Sequence, residues 1–484
     1  MPRRVQLLAA TLQLIGGGLG WSIIPPLMPL IGKELSLTPA MSGMAWGATP
    51  LGIALASVFG GAVVDRFGAR WVAGLAMLAG ALACASRAWV HDVYGLTAAM
   101  FAFGLHIGFV APSLPKALAG HVPLKHLGRA NGLTVLAYAL GTAATVLTAR
   151  TLLLPLAGGW RPLMVAIGAT LGLAGVLWMA LYRDRSFAAQ HHSFTAVLKL
   201  GRDRQLLRVA GVQFLLFGGY LALLGSLIPA LISFGMDPKL AGGAVALWLC
   251  CAAAANLTGP WLSDRIGRRL PFIKIGAVIA GTSLMLLALF PSAHTAWLLA
   301  VAALGGGCFA PLVLAMPVEL PSIGRERAGA AIGLLMLVGQ MGGFLLPVMT
   351  GQLATHVGFS WGLFALAVAH LAILIPARGL KETGTARALP ATEPNDPGEP
   401  ADLPLVDGEP MPAPVSVTAP AKRSAAAVGT TVARNAGRSM PVPAAGTAST
   451  ASSTVLTGRE SASAAAEVLP LAEGTPRAST RPLL

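Results

Sequence analysis

Apolar residues run along this chain in long blocks rather than in short alternations. Twelve blocks of mostly apolar residues occupy roughly 7–31, 40–64, 71–90, 93–118, 129–154, 162–182, 208–234, 241–262, 271–290, 295–318, 329–354 and 361–378. A helix rises about 1.5 Å per residue, so about 20 residues cross the roughly 30 Å of hydrocarbon in a bilayer. Lipid offers no partner to an unpaired backbone N–H or C=O, so such blocks are expected as helices. Barrel strands would alternate over about ten residues, and no such alternation occurs. The pattern predicts an all-α membrane protein with twelve transmembrane helices. The first block follows Arg3 and Arg4 without a small-residue cleavage site. It reads as an uncleaved helix rather than a secretory leader.

Positive residues give the orientation. Counting Lys and Arg in the connections, 21 fall on the side of both termini and five on the other: Lys33, Arg87, Arg150, Arg161 and Lys239. The positive-inside rule therefore predicts cytoplasmic N- and C-termini, which an even number of helices requires. The connection at 183–207 is long and basic and reads as a cytoplasmic linker between an N-terminal six-helix bundle, 1–182, and a C-terminal one, 208–378. From 379 to 484 the chain is rich in Ala, Pro, Ser, Thr and Gly. That composition predicts a disordered cytoplasmic tail, because it cannot bury enough apolar surface to offset its ordering entropy.

Composition agrees: 55% of the 484 residues are hydrophobic and 11% charged, against about a quarter charged in soluble domains. The net charge of +15 does not point to nucleic acid. Residues 1–381 hold 26 Lys/Arg against nine Asp/Glu, so the excess belongs to membrane loops, and the expected surroundings are a lipid bilayer. Cys84, Cys250, Cys251 and Cys308 lie inside apolar blocks without CxxC spacing and read as small buried hydrophobes. No paired carboxylate, nucleophile–base pair or phosphate loop marks an enzyme, and no cofactor or metal site is expected; the Gly-rich stretches at 16–18 and 305–307 lie inside helices.

The chain also repeats itself. Asp65-Arg66 recurs as Asp264-Arg265, 199 residues on, and GFVAP at 108–112 recurs as GCFAP at 307–311 with the same offset. GRANGL at 128–133 matches GAAIGL at 329–334, and Trp160 matches Trp361, both 201 apart. The halves are two copies of one six-helix unit, and transporters built this way bind solute between the repeats.

Over residues 5–380 the chain resembles the major facilitator superfamily of transporters. The loop after helix 2 of that family carries G-x-x-x-D-R-x-G-x-[RK], matched by Gly61, Asp65, Arg66, Gly68 and Arg70. Asp264, Arg265, Gly267, Arg268 and Arg269 match it again, with Pro260 at the first glycine position, so the second copy reads as degraded. The resemblance implies two halves rocking around a central cavity, a small-molecule substrate, a monomer and, for a bacterial member, the inner membrane. It also implies a gating latch in which Asp65 faces the start of helix 11 near Gly329.

Polar residues inside the blocks are then the substrate-binding or coupling candidates: Gln13, His106, Lys116, Tyr138, Gln213, Tyr220, Asn256 and Gln340. A mid-depth histidine titrates near neutrality, so His106 could carry a coupling proton, or could simply bond a backbone carbonyl. Lys116 stands near the cytoplasmic surface, where it could snorkel instead of touching solute. No Asp or Glu lies deep in any block, which favours an anionic or neutral solute. GFVAPSLPKALAGHVPLKHLGRANGL, 108–133, resembles the nitrate/nitrite and cyanate porters of the family, but the arginines with which nitrate porters clamp the anion are missing from helices 2 and 8. Two other functions stay open: a non-transporting sensor or scaffold acting through the tail, and an iron-handling transporter, since a few runs resemble the magnetosome-associated branch.

Overall fold

A computed structural model describes residues 2–184, 202–291, 295–320 and 322–384. The tail beyond 384 and most of the linker fall outside the described residues. Every regular element among these is helical. α1 runs as Pro2–Leu12, a π-helical stretch Gln13–Trp21 and Ile24–Glu34. The 48-residue helix Pro39–Ser86 is two membrane crossings, α2 (39–67) and α3 (69–86), joined at Gly68. α4 is Val93–Ala119, α5 is Leu124–Thr148 with short extensions to Ala157, and α6 is Trp160–Leu181. The second half repeats the set: α7 Arg204–Ser233, α8 Pro238–Ile266, α9 Leu270–Leu289, α10 Thr295–Glu319, α11 Gly324–Val357 and α12 Phe359–Ala372, extended by Leu374–Arg378. Eleven segments are long and apolar enough to span a bilayer; one of them, Pro39–Trp89, is 51 residues long and double. Twelve crossings follow, as the apolar blocks predict, with α7 and α11 starting about a turn earlier than hydropathy places them.

Short-range chemistry sets the helix starts. The Thr38 hydroxyl accepts from the Met41 N–H at 3.2 Å and the Asp92 carboxylate from Gly95 at 2.7 Å. Asp203 accepts from Gln205 and Leu206. Burial works against its ionisation, but hydrogen bonds from Ser322 and those two N–H groups outweigh it and hold the carboxyl below the usual range. Each cap satisfies donors that a helix N-terminus leaves open.

The α2–α3 corner depends on one residue. Gly68 has φ +80°, in the left-handed region, and an added Cβ there would overlap the Asp184 carboxylate. That carboxylate, just past α6, accepts from the N–H of Ala69 at 2.9 Å and of Arg70 at 3.2 Å, capping α3. The other half repeats the device 198 to 200 residues later. Gly267, at φ +74°, ends α8, and Glu382, just past α12, accepts from the N–H of Arg269 at 2.6 Å and of Leu270 at 3.2 Å. Carboxylates at these sites also face the positive ends of the helix dipoles.

Helix pairing repeats as well. α2 packs on α4 as α8 does on α10, α3 on α6 as α9 on α12, and α1 on α5 as α7 on α11. Within a bilayer, small residues let such pairs approach closely. Gly60 lies against the Gly108 carbonyl and Gly259 against the Cys308 backbone, 199 residues apart. These, not Gly61 and Pro260, are the close-packing positions; Gly61 has open space beside it. Pro260 therefore costs the second copy no helix contact. Large apolar side chains such as Leu82, Leu156 and Trp297 point outward, toward lipid. Cys84 is buried but Cys250 is exposed, a departure from the reading of all four cysteines as buried; hydropathy does not separate lipid-facing from bundle-facing positions. All four are free thiols.

Candidate functional site

By helix order, both described termini lie at one end of the bundle. At the other end the halves close on each other. The Ala40 N–H donates to the Thr355 hydroxyl at 2.8 Å, and the Trp46 indole N–H donates to the Leu221 carbonyl at 2.8 Å. Gly43 and Gly47 of α2 abut the Pro347 and Phe344 carbonyls of α11, and Gly351 abuts the Pro39 carbonyl. Arg150, ending α5, lies within electrostatic reach of Asp237, before α8. Near the terminal end, Gly132 and Gly333 have open space where a side chain would stand. None of the ion pairs among the described residues crosses between halves.

On the terminal side of Trp46, neutral polar groups meet across the interface. The Tyr138 ring lies on Gly17, in the π-helical stretch of α1. Its hydroxyl lies beside Thr142 and, across the halves, beside Tyr220. The Ser22 hydroxyl donates to Thr142 at 3.1 Å, and Tyr220 stacks on Trp248 with ring centroids 5.4 Å apart. Gln213 precedes Tyr220 by two turns on the same face of α7 and touches Gly339 of α11. Gln340 lies one turn before Gly343, which faces Pro50 of α2. Gln213 and Gln340 are buried, and each amide oxygen lacks a partner among the described residues. Leaving such an atom unsatisfied costs about 1–3 kcal/mol, which a bound solute or water would relieve. Amide O and N exchange places on a flip, so each group can present a donor or an acceptor. Gln13 is half-buried at the start of the π-helical stretch, within reach of Gly17. Tyr138 and Tyr220 thus meet across the halves, Gln213 shares the α7 face of Tyr220, Gln340 lies a turn before Gly343, and Gln13 lies beside Gly17. Asn256 is exposed on α8 and has no hydrogen-bond partner among the described residues.

His106 is elsewhere. It is buried inside the first half, its ring packed against Gly80 of α3 and near Gly16 of α1. Its Nδ1 is 2.5 Å from the Phe103 carbonyl. A carbonyl only accepts, so Nδ1 carries the hydrogen. Beside it Arg87, fully buried, donates to the Gly20 carbonyl at 3.0 Å and sits over Phe103 at 4.2 Å. His106 is held as a packing group in this arrangement. Replacing it with Ala is expected to cost about 2–4 kcal/mol of stability through the cavity left behind. The substrate KM and the pH profile of transport should stay as in the unmodified protein; a lost pH dependence would restore the coupling role.

Lys116 is not at the interface either. Its Nζ is 2.6 Å from the Asp65 carboxylate and 3.0 Å from the Val64 carbonyl, at the terminal end. Asp65, expected against the start of α11, is paired here within its own half. Arg66 lies over Phe67, and the Arg70 Nε donates to the Met179 carbonyl at 2.7 Å. In the second half Arg265 lies over Trp261, while Arg269 bridges Asp264 at 2.5 Å and Glu319 at 2.8 Å. The hydrogen bond to Glu319, joined by that to Asp264, pushes the Arg269 guanidinium above its ordinary pKa despite burial. The sequence reading missed Asp184, Glu319 and Glu382 as parts of these corners. The 198-residue offset of Asp184 and Glu382, close to that of the knots, is the signal that would have found two of them.

The family model described as Major Facilitator Superfamily matches residues 11–316 and 209–427. The chain is 28% identical over 354 residues to the probable nitrate/nitrite transporter NarK2 of Mycobacterium tuberculosis, covering 68% of this chain and 84% of that protein. It is 27% identical over 359 residues to the probable sulfoacetate transporter SauU of Cupriavidus necator, covering 68% and 82%. Among solved structures, the inward-facing, occupied bacterial homologue of the human lysosomal transporter Spinster superposes with a TM-score of 0.67 at 18% identity, over 78% of this chain and 95% of that one. Twelve crossings in two repeated halves, a charged corner in each and a polar interface between them agree with these matches: the chain is an integral membrane protein of the Major Facilitator Superfamily, a family of transporters.

Proposed function

We propose that the chain is a secondary transporter of a small oxyanion, working by alternating access and seen here open toward the cytoplasm. The observations that carry this reading are the meeting of Tyr138 and Tyr220 across the halves and the buried amide oxygens of Gln213 and Gln340, which have no partner among the described residues; Gln13 is a further neutral donor near them in the chain's first helix. Tyrosine hydroxyls and flipped amides can surround an anion's oxygens without the charge-pairing that a cationic solute would need. Every Asp and Glu of residues 1–381 lies at a helix end or in a connection, so no carboxylate opposes an anion at mid-depth. Relatives named for nitrate/nitrite and sulfoacetate transport make oxyanions the class to test. The excess of Lys and Arg on the terminal side supports a cytoplasmic location for both termini, and the bacterial inner membrane is the expected membrane.

In this reading the Asp65–Lys116 pair belongs to the open cytoplasmic end. When that end closes, Asp65 leaves Lys116 for the α11 N-terminus, where a carboxylate is favourable, and the open space beside Gly61 admits the approaching helix.

The test is uptake into proteoliposomes across nitrate, nitrite and sulfoacetate, with glucose and lysine as neutral and cationic comparators. One oxyanion is expected to accumulate saturably. Gln213→Ala and Gln340→Ala should each raise its KM about tenfold, the effect of about 1.4 kcal/mol. Accumulation of only the neutral or cationic comparator, or an unmoved KM in both variants, would overturn the assignment.

A further inference from the structure

A cavity of about 220 Å3 lies between the halves at the closed end, walled by α1, α2, α7, α11 and the start of α12. An apolar cavity of about 150 Å3 already holds benzene. Trp46 forms its inner wall, and the indole bond to Leu221 separates it from the Tyr138–Tyr220 contact. The walls are chiefly apolar, with Met28, Trp46 and Phe359 the large surfaces. Polar groups are few: the hydroxyls of Ser42, Ser226 and Thr350, and Lys33 at the rim. The Ser226 hydroxyl donates to the Ala222 carbonyl and keeps its acceptor capacity. Lys33 is exposed and has no ion-pair partner among the described residues; the adjacent Glu34 is engaged by Trp160 and Arg161 and does not neutralise it.

We infer that this cavity is a second ligand site, separate from the central one, for a compact apolar molecule with one carboxylate. The apolar body fills the space between Met28, Trp46 and Phe359, and the carboxylate meets Lys33 at the rim. Both halves supply the walls, so the cavity exists only while this end is closed. A ligand that binds one conformation shifts the population toward it by its difference in affinity. Taking the protein as an alternating-access transporter, as above, an occupied cavity holds it open to the cytoplasm and slows transport without competing at the central site.

The probe is benzoate, with benzyl alcohol as its uncharged counterpart, on the purified full chain in nanodiscs. The readouts are thermal stabilisation and the distance between spin labels at positions 129 and 327, at the terminal ends of the two halves. Benzoate is expected to stabilise the protein saturably and to raise the fraction with the long label distance. Lys33→Gln should weaken benzoate about fivefold and leave benzyl alcohol unchanged. Ser226→Leu, which fills the cavity, should abolish both responses while the variant keeps its thermal transition. Gln340→Ala should leave the benzoate response intact. No saturable stabilisation, a response that survives Ser226→Leu, a response lost with Gln340→Ala, or an unmoved label distance would each overturn the inference. None of these readouts needs uptake, so a failed oxyanion assignment is distinguishable from a failed cavity.

Discussion

Gly43→Leu will leave the end of the bundle away from the termini unable to close. The position faces the Pro347 carbonyl and Gly351 of α11 so closely that even a Cβ would overlap backbone. Backbone cannot rotate aside as a side chain can, so α2 and α11 must separate. Separation breaks the Ala40–Thr355 and Trp46–Leu221 hydrogen bonds along the same seam. Each is worth about 1 kcal/mol, and lost helix packing adds to them. A bias of about 3 kcal/mol moves the balance of two conformations by more than a hundredfold. With labels at 129 and 327, the long distance of the unmodified protein should give way to a short one, and uptake should fall at least tenfold. Gly243→Leu is the control: it carries the same side chain to a position with open space beside it, and it should change neither readout. An unchanged distance distribution in Gly43→Leu would mean that the glycine seam is not what closes this end.

Arg269→Gln should be the most destabilising change among the charged corner residues. Arg269 holds two carboxylates, Asp264 and Glu319, and also donates to the Ser263 hydroxyl at 3.0 Å. Its side chain is 12% exposed, whereas Asp264 is 65% exposed, so solvent screens one of the two pairs and the loss is discounted accordingly. The expected cost is about 2 kcal/mol, most of it from leaving Glu319 unpaired. Arg70→Gln, at the equivalent place in the first half, removes one bond to a backbone carbonyl and should cost about 1 kcal/mol. The check is thermal denaturation of both variants in the same detergent. Equal transitions would show that the second corner's ion network carries no more weight than the first corner's single bond. The pH dependence has a definite sign. Arg269 has a raised pKa in the folded protein, so its contribution is fully present below the unfolded-state pKa and is lost only as pH rises through the folded one, in strongly alkaline solution.

Hydropathy made the twelve crossings legible because each needs a fixed length of apolar chain. The near-constant offset made the two halves legible because a duplicated unit keeps its internal distances. The knots showed where the corners are, but not whom they bind. Asp65 was read toward α11 and is found with Lys116; Arg269 was read as part of a degraded copy and anchors the denser network. Partners such as Asp184 and Glu382 stand 115 and 113 residues from the N–H groups they cap, a separation that local pattern does not bridge. Within the site, Tyr138 and Tyr220 could be named as polar residues inside apolar blocks, but only the fold joins them across the halves. His106 shows the converse. Its depth was readable, whereas the face of α4 it occupies was not, because lipid-facing, bundle-facing and pathway-facing positions can all carry the same apolar neighbours.

The caps past α6 and α12 bear on how the protein is made. The first turn of α3 keeps two N–H groups without their carboxylate until Asp184 has been synthesised, and α9 waits likewise for Glu382. Each corner is therefore sealed by a residue just past the last helix of its own half, in the linker for Asp184 and at the start of the tail for Glu382, rather than by its neighbours in sequence. The first half can acquire its final tie once the chain just past α6 has emerged from the ribosome, before the second half is complete. Its assembly can then be complete in the membrane while its twin is still on the ribosome, and the two halves meet as finished bodies.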